Sequence, residues 1–370
     1  MSQSTVGVDA NRAAHDHIVR VINEGWLALI LSFGERLGLS AALAELGRAD
    51  VARLSAQTGV GHRYVEDWLW AMAAAGIVDS ERDADGADRF FLAPGYADAV
   101  TSSGGTGNWG RIAEQLVAMA SLEDELVRAA RSTGGLPASV YEGRIVDVLA
   151  VESGPILEAS LIDEVVPLLG VHDRLDRGGL VLDAGCGSGE ALAILAAHYP
   201  RSRFVGVDQS ADAIASARAR TLRLGLDNID LYVADLEDEW PVGVAATEFD
   251  LVLAVNVAHD LSDPHLFFRT VRDLLADGGV FGLVELGFDT DMRVNIQHPH
   301  AIGVLAFGLY HCLPLAQRRA GIAPGGMWGS RTYVDALGTA GFTDIVLTHA
   351  PSDPTNDLII ARNTGSNTAS

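Results

Sequence analysis

The chain of 370 residues carries 26 basic and 49 acidic residues, and its formal net charge at pH 7 is −23. A surface of this sign repels nucleic-acid backbones and anionic lipid, so neither is an expected partner. Hydrophobic residues make up 48% of the chain, yet no run reaches the ~18 apolar residues of a membrane span. The two cysteines give no disulfide framework, and we expect a globular cytoplasmic protein with two domains.

Residues 1–15 have neither the basic nor the apolar region of a signal peptide, and we expect a disordered leader there. Residues 16–100 are expected to form a winged-helix domain. Its first helix is predicted over Glu24–Leu46, where apolar residues recur at helical spacing. This helix is more apolar than one core face requires. Either it is covered on two sides within the fold, or it pairs with a second subunit in a homodimer.

Two short helices joined by a glycine-rich turn at 58–61, and then two strands, complete the winged-helix pattern. Such domains often bind DNA, but from Ala41 to Asp98 ten acidic residues stand against five arginines. The second helix, which would read the groove, carries Glu66 and Asp67, whereas a groove-binding element should be basic. A role in dimerisation or in covering a substrate is therefore favoured, and a DNA-binding regulator is a remote alternative.

Residues 101–170 contain two Gly/Ser-rich patches and two helical stretches, which predict a connector that covers the mouth of the next domain. Over residues 171–363 strands alternate with helices. This alternation predicts an α/β domain with a doubly wound, mostly parallel sheet that ends in an antiparallel hairpin. The tail, residues 364–370, is expected to be disordered.

The stretch "LDAGCGSG", Leu182–Gly189, follows a predicted strand and opens a helix, where backbone N–H groups can meet a ligand. Asp208 ends the next strand about 20 residues later, at the distance typical of a carboxylate that binds ribose hydroxyls. The dinucleotide fingerprint GxGxxG/A fits poorly, because Glu190 occupies its third small position. A nucleoside without phosphates is therefore favoured over NAD.

Together with "FVGVD", "VADLED" and "FDLVLAVNV", this loop resembles motifs I to IV of class I S-adenosylmethionine-dependent methyltransferases, over roughly residues 179–363. The resemblance implies a Rossmann-like domain and S-adenosylmethionine as cofactor. Gly185 and Gly187 would lie against the methionine part, Asp208 on the ribose and Asp235 at the adenine amine. The full implied cofactor-binding set is Asp183, Gly185, Gly187, Asp208, Gln209, Asp235, Leu236 and Asn256.

Acceptors in this fold bind outside the carboxyl ends of the strands. His259 and Asp260 directly follow the fourth strand, and His311 lies on the segment after the fifth. Three interpretations stay open on spacing alone. In the first, His259 only hydrogen-bonds Asp260 in the loop, and His311 packs in the core. In the second, His259 or His311 is the general base of an O-methyltransferase. In the third, all three residues bind a metal ion.

The winged helix, "AHD" after motif IV, "YHCLP" and "GGMWG" resemble a bacterial group of small-molecule methyltransferases. That group includes the α-keto acid C-methyltransferases, which methylate the β-carbon of 2-oxo acids for antibiotic biosynthesis. The resemblance implies that His259, Asp260 and His311 are catalytic residues that hold a metal ion such as iron or zinc. A metal-independent O-methyltransferase is the alternative.

Four residues are candidates for contact with the substrate. Arg144 could bind the carboxylate of a 2-oxo acid, although an ordinary surface ion pair is at least as good an interpretation. Trp109, Met327 and Trp328 could line the apolar part of the pocket, although core packing explains them equally well.

Overall fold

The structure is a computed structural model that describes residues 3–101, 108–132, 134–238, 240–326, 328–353 and 355–363. It divides into two compact units, Met1–Ala120 and Ser121–Ser370. The division falls inside the segment 101–170, so the expected connector is not a body of its own. Met327 and the tail 364–370 lie outside the described residues.

The first unit is mainly helical, with one two-stranded hairpin. Its elements are α1 (Gln3–Arg36), α2 (Leu39–Leu46), α3 (Val51–Thr58), α4 (His62–Ala74), β1 (Val78–Arg82), β2 (Asp88–Leu92), α5 (Tyr96–Val100) and α6 (Trp109–Ala120).

Helix α1 corrects two expectations about the N-terminal region. It begins at Gln3, so residues 3–15 are helical and do not form a disordered leader. No proline interrupts this stretch, and the helix can therefore extend beyond its apolar part. The helix expected over Glu24–Leu46 is also broken, because Gly38 has a φ of 66° and starts α2 in a new direction.

The helix–turn–helix and hairpin pack around one core, as predicted. Leu43, Leu54 and Leu69 are fully buried in it. Arg63 pairs with Glu66 and Asp67, and other arginines of this unit also pair with carboxylates. These pairs compensate the positive charges locally.

The second unit carries the larger set of elements. Its helices are α7 (Glu123–Ser132), α8 (Arg144–Ser160), α9 (Val166–Leu169), α10 (His172–Arg177), α11 (Glu190–His198), α12 (Ala211–Leu224), α13 (Val242–Ala245), α14 (Pro264–Leu274), α15 (Met292–Asn295), α16 (Ala301–Phe307), α17 (Leu313–Ala316) and α18 (Ser330–Thr339). Its strands are β3 (Leu180–Ala184), β4 (Arg203–Asp208), β5 (Ile229–Val233), β6 (Phe249–Val255), β7 (Leu275–Leu286), β8 (Asp344–Thr348) and β9 (Asn356–Arg362). Short 3₁₀ turns span Ala138–Tyr141 and Ala258–Asp260, and π-helical turns span Leu161–Val165 and Gly308–Cys312.

The seven strands that the described part of this unit contains form one sheet in the order β5-β4-β3-β6-β7-β9-β8. Strands β3 to β7 pair in parallel, and β9 runs antiparallel to both β7 and β8. This confirms the predicted Rossmann-like sheet with its closing hairpin. The strand order reverses between β3 and β6, and ligands bind open α/β sheets beside such a switch point.

A covering segment at residues 308–318 is tied to the start of this unit. Leu136 donates its N–H to Pro314 O at 2.9 Å, and the Tyr141 hydroxyl donates to Tyr310 O at 3.0 Å. A Cβ atom on Gly135 would lie 2.2 Å from Pro314 O, so only glycine fits this contact. The covering segment is thereby held over the carboxyl ends of the strands.

Among the described helices, none is by itself long and apolar enough to cross a membrane. One bent pair, Asp9–Arg36 with Leu39–Leu46, meets the length and composition criteria.

Candidate functional site

The glycine loop after β3 has a backbone that only glycine adopts readily. Gly185 and Gly187 have φ values of 82° and 51°, and the N–H groups of Gly185 and Cys186 donate to Val207 O. A Cβ atom on Gly185 would lie 2.4 Å from the side chain of Val257. A Cβ atom on Gly187 would have no atom within 4 Å. Gly185 therefore lets two turns approach each other, and Gly187 leaves open space beside the loop.

Two carboxylates flank this loop, of which Asp183 is buried and Asp208 is half-buried. Asp208 accepts the N–H of Gly187 at 2.9 Å and that of Ser210 at 2.8 Å, which fixes the carboxylate at the end of β4. Burial raises the pKa of Asp208 despite these bonds. Burial, and then the nearby Asp208, raises the pKa of Asp183 to about 7.

A cleft of about 460 Å³ opens at the ends of β4 and β5. It contains two of the predicted cofactor residues and two arginines that the sequence did not indicate. The lining residues are Gly135, Pro137, Ala138, Gln209, Val233, Ala234, Asp235, Arg318 and Arg319. Arg318 and Arg319 donate to the carboxylate of Asp235 at 3.1 and 2.9 Å. The oxygens expected to meet an adenine amine are thus already engaged in ion pairs.

Leu236 and Asn256 occupy different surroundings. Leu236 belongs to the core, and its carbonyl accepts the indole N–H of Trp240 at 3.2 Å. Asn256 follows β6 with a positive φ of 53°, and its Oδ1 is buried without a hydrogen-bond partner in the described structure. A strained residue with a free acceptor beside the switch point is typical of a ligand site.

On the acceptor side, His259 and Asp260 sit on the 3₁₀ turn that follows β6, as the sequence predicts. His259 Nε2 lies 3.4 Å from Asp260 Oδ1, and His311 Nδ1 lies 3.7 Å from Asp260 Oδ2. The structure thus brings both predicted histidines to the carboxylate of Asp260. Within the part of the chain described here, Asp260 Oδ1 and His311 Nδ1 are buried and have no hydrogen-bond partner.

Glu285 is the site residue that sequence reasoning missed. It lies on β7, is fully buried, and contacts His259 Nδ1 through its Oε2 at 2.5 Å. Its Oε1 accepts the N–H groups of Val257 and Ala258, and Oε2 also accepts the Tyr333 hydroxyl at 3.3 Å. Glu285 therefore fixes the ring of His259 and leaves Nε2 as the nitrogen that faces Asp260.

Cys312 is a second residue at this site that the sequence analysis did not predict. The ligand atoms of His259, Asp260 and Cys312 lie within 4.8 Å of one another, and this is the metal-capable group found among the described residues. His311 is not part of that compact group, although it was the predicted third ligand. Its ring packs between Phe307, with centroids 5.2 Å apart, and Tyr141, at 4.6 Å.

Burial and charge oppose each other in this cluster. Burial lowers the pKa of His259, but the carboxylates of Glu285 and Asp260 outweigh it and hold that pKa well above its usual value. For His311 burial prevails, and its pKa is lowered. Burial, followed by the Asp260 charge, raises the pKa of the Cys312 thiol to about 12.

Comparison with known protein families identifies both units. Residues 182–281 match the family of a methyltransferase domain, and residues 25–102 match an Rv2258c-like winged HTH domain. The second unit contains a methyltransferase domain. The predicted resemblance to class I S-adenosylmethionine-dependent methyltransferases, preceded by a winged-helix domain, is confirmed.

Known proteins resemble this chain over part of its sequence or over most of its fold. The ribosomal RNA small subunit methyltransferase C of Pseudomonas paraeruginosa is 34% identical over 160 residues, which are 38% of this chain and 47% of that protein. The matched part of this chain spans between about a quarter and a half of the length of such curated relatives. Human N-acetylserotonin methyltransferase, solved with S-adenosylmethionine, has a TM-score of 0.64 at 19% identity over 95% of this chain and 98% of that one. For mitomycin 7-O-methyltransferase the TM-score is 0.69 at 16% identity, over 96% and 99%. These two structures support the fold.

The predicted substrate residues of the methyltransferase are only partly located. Trp328 makes edge-to-face contacts with His265 and Tyr333 and packs against the core. These contacts favour a role in core packing over a place in the substrate pocket. Trp109 begins α6 in the first unit and is 50% exposed. Arg144 begins α8, but its side chain, like the whole of Met327, lies outside the described residues.

Proposed function

We propose that the protein transfers a methyl group from S-adenosylmethionine to a small molecule, and that a metal ion assists this transfer at the β-carbon of a 2-oxo acid. The observation that carries the metal is the buried cluster of His259, Asp260 and His311, with unpartnered ligand atoms, beside the donor loop. This activity would belong to secondary metabolism, such as antibiotic biosynthesis, and to the cytoplasm. The two cysteines are free, as expected there.

The cofactor would lie along the carboxyl edge of the sheet. The open space at Gly187 suits the methionine part, and Asp208 would accept the ribose hydroxyls. Both Asp208 oxygens already accept backbone N–H groups, but a carboxylate has further lone pairs to offer. The adenine would enter the cleft lined by Gln209 and Asp235.

The residues present suit a divalent or trivalent metal. Glu285 holds Nδ1 of His259, so Nε2 is the free ligand nitrogen, and a carboxylate behind a metal-bound histidine is a common arrangement. Asp260 Oδ1 and His311 Nδ1 are buried polar atoms that would gain a partner. Bound metal would act as a Lewis acid toward the carboxylate and keto oxygens of the substrate.

The rest of the reaction depends on alignment by the protein. The β-carbon of the 2-oxo acid loses a proton to solvent water and forms a bond to the methyl carbon, while the sulfur–methyl bond breaks and S-adenosylhomocysteine leaves. His259 and Asp260 follow β6, the strand next to the donor loop, and Val257 lies so close to that loop that it leaves no room for a Cβ atom on Gly185. This proximity would bring acceptor and donor together without further chemistry by the chain.

A second candidate is a metal-independent O-methyltransferase. The buried Glu285–His259 pair favours it, because a carboxylate that orients a histidine is also how a general base is built. The named O-methyltransferase among the structural neighbours points the same way. In that reaction His259 Nε2 would take the proton of a substrate hydroxyl.

Metal analysis separates the two candidates. Elemental analysis of purified wild-type protein should find a transition metal near one equivalent, and His259→Ala and Asp260→Ala should lose it. Chelator-treated protein should lose turnover and regain it when metal is restored. Full activity in a metal-free preparation would leave the O-methyltransferase standing.

We also propose that α1 pairs with a second copy of the chain. Five of its apolar side chains are at least 41% exposed and recur every three or four residues, so they share one face. These are Ile18, Ile22, Trp26, Leu29 and Phe33. An exposed apolar stripe of this kind is typical of an interface between subunits.

A further inference from the structure

We propose that Cys312 is a thiolate ligand of the metal at His259 and Asp260. This inference rests on the proposed metal site and adds a ligand of a different chemical class. It changes the donor set from nitrogen and oxygen alone to one that includes sulfur.

The geometry points to Cys312 more directly than to its neighbour. Sγ of Cys312, a ring nitrogen of His259 and a carboxylate oxygen of Asp260 are mutually within 4.8 Å. A metal that bonds sulfur at about 2.3 Å and nitrogen or oxygen at about 2.0–2.2 Å holds its ligands at such separations. His311 approaches Asp260 to 3.7 Å without joining the compact group. Cys312 completes this group, and His311 could add a fourth ligand.

The local backbone explains why two successive residues face the cluster. His311 and Cys312 end the π-helical turn Gly308–Cys312, where the backbone winds more widely than in an α-helix. Adjacent side chains therefore diverge less around the helix axis. π-Helical turns of this kind often occur at functional sites.

The other cysteine of the chain provides a contrast. Cys186 is also buried, but it belongs to the core beside Leu192, and its Sγ lies under the glycine loop near Gly187 O. The carboxylates of Asp183 and Asp208 are near enough to act on this thiol, but Cys186 does not belong to the metal-capable group of the described residues. Cys312 is 1% exposed and lies between an imidazole and a carboxylate. Burial and nearby carboxylates are thus common to both cysteines, whereas a compact group with a histidine and a carboxylate is found at Cys312.

A thiolate ligand has chemical consequences. Binding of a divalent metal displaces the thiol proton to solvent as the sulfur–metal bond forms, and no oxidation is involved. Sulfur also favours zinc, iron or cobalt over magnesium and calcium, which prefer oxygen ligands. The site should therefore discriminate against magnesium by ligand type.

Cobalt(II) is the probe for this inference. Metal-free wild-type protein titrated with Co²⁺ should develop a near-ultraviolet sulfur-to-cobalt charge-transfer band together with visible ligand-field bands. Cys312→Ser should lose the charge-transfer band and keep the ligand-field bands. The control Cys186→Ser should keep both kinds of band. Circular dichroism of each variant checks that the fold is retained.

The outcomes separate this inference from the metal proposal itself. If wild type shows the visible cobalt bands without the charge-transfer band, Cys312 is not a thiolate ligand, and the proposed metal site is retained. No cobalt binding at all would overturn both. X-ray absorption of the zinc-loaded wild type gives a test without any variant: a sulfur neighbour at about 2.3 Å supports the inference, and a shell of only nitrogen and oxygen contradicts it.

Discussion

Glu285 determines which nitrogen of His259 is available. Its Oε2 holds Nδ1 at 2.5 Å, and its Oε1 is fixed by two backbone N–H groups. The proton of a neutral His259 therefore resides on Nδ1, and Nε2 is left as a lone-pair donor. Nothing in the chain order pairs these residues. The signal that could have revealed Glu285 is one carboxylate in the otherwise apolar strand "VFGLVEL".

Glu285→Gln should lower the affinity for metal by about 10–100-fold, the usual cost of losing such a supporting carboxylate. The Gln amide would donate to Nδ1 and move the histidine proton to Nε2, where it blocks ligation. Tyr333→Phe is the matched control, because it removes one 3.3 Å hydrogen bond to the same carboxylate and keeps the ring. Calorimetric Zn²⁺ titrations of both variants check this, and equal affinities in the two would contradict it.

Asp183 should make stability depend on pH. Its pKa is about 7 in the folded protein against an ordinary value of 3.8, so the folded state binds the proton more tightly. Its contribution to stability is therefore greatest below about pH 4, decreases as the pH rises toward 7, and is constant above that. Each pKa unit corresponds to about 1.4 kcal/mol.

Asp183→Asn removes this titration and should flatten the melting temperature of the ligand-free protein between about pH 4 and 7, compared with wild type. Melting curves across that range, taken for both proteins at constant ionic strength, provide the measurement. Two parallel pH profiles would show that Asp183 does not titrate there.

At the level of elements, the glycine loop couples the donor and acceptor sides. Gly185 touches Val257, which lies two residues before His259, whereas a side chain at Gly187 would meet nothing within 4 Å. Both glycines have positive φ, so either alanine substitution strains the backbone by roughly 1–2 kcal/mol.

Gly185→Ala should be the more damaging substitution, because overpacking against Val257 adds about 1–3 kcal/mol. Its free energy of unfolding should fall further than that of Gly187→Ala, and its metal affinity should fall too, since the His259 turn is displaced. Chemical denaturation and metal titration of both variants test this pair. A Gly187→Ala protein as damaged as Gly185→Ala would argue against the coupling.

The regular elements could be predicted because their signals are local. The alternation of "GLVLDAG" and "RFVGVD" with helical stretches indicated the parallel sheet, and the loop motif placed Asp208 at its edge. Two boundaries between elements could not be predicted from the sequence. The helix before β7 ends at Leu274 and the strand starts directly at Leu275, five residues earlier than its apolar run begins. The break at Gly38 depends on a single residue in an apolar sequence.

Contacts between distant segments could not be read from the sequence. The Arg318 and Arg319 pairs with Asp235 join positions that are more than 80 residues apart. The approach of Cys312 to His259 depends on the π-helical turn at Gly308–Cys312, and sequence patterns do not specify how widely one turn winds. Spacing therefore indicated the site but not its full set of ligands.

For the whole molecule, the exposed face of α1 predicts a dimer. Trp26 is 60% exposed on that face, and Trp26→Glu would place a charge in an apolar interface. Light scattering should find wild type as a dimer and Trp26→Glu shifted to monomer. Leu222→Glu, at a residue that is 84% exposed in the second unit, should remain dimeric. A monomeric wild type would contradict the proposed pairing.

The position of the transferred methyl group tests the proposed reaction most directly. The enzyme is incubated with S-adenosylmethionine carrying a ¹³C-labelled methyl group and with a panel of 2-oxo acids and phenols, with and without a chelator, and the products are read by NMR. We expect the label on the β-carbon of a 2-oxo acid, with turnover abolished by the chelator. A label on oxygen, or undiminished turnover in metal-free protein, would contradict metal-assisted C-methylation.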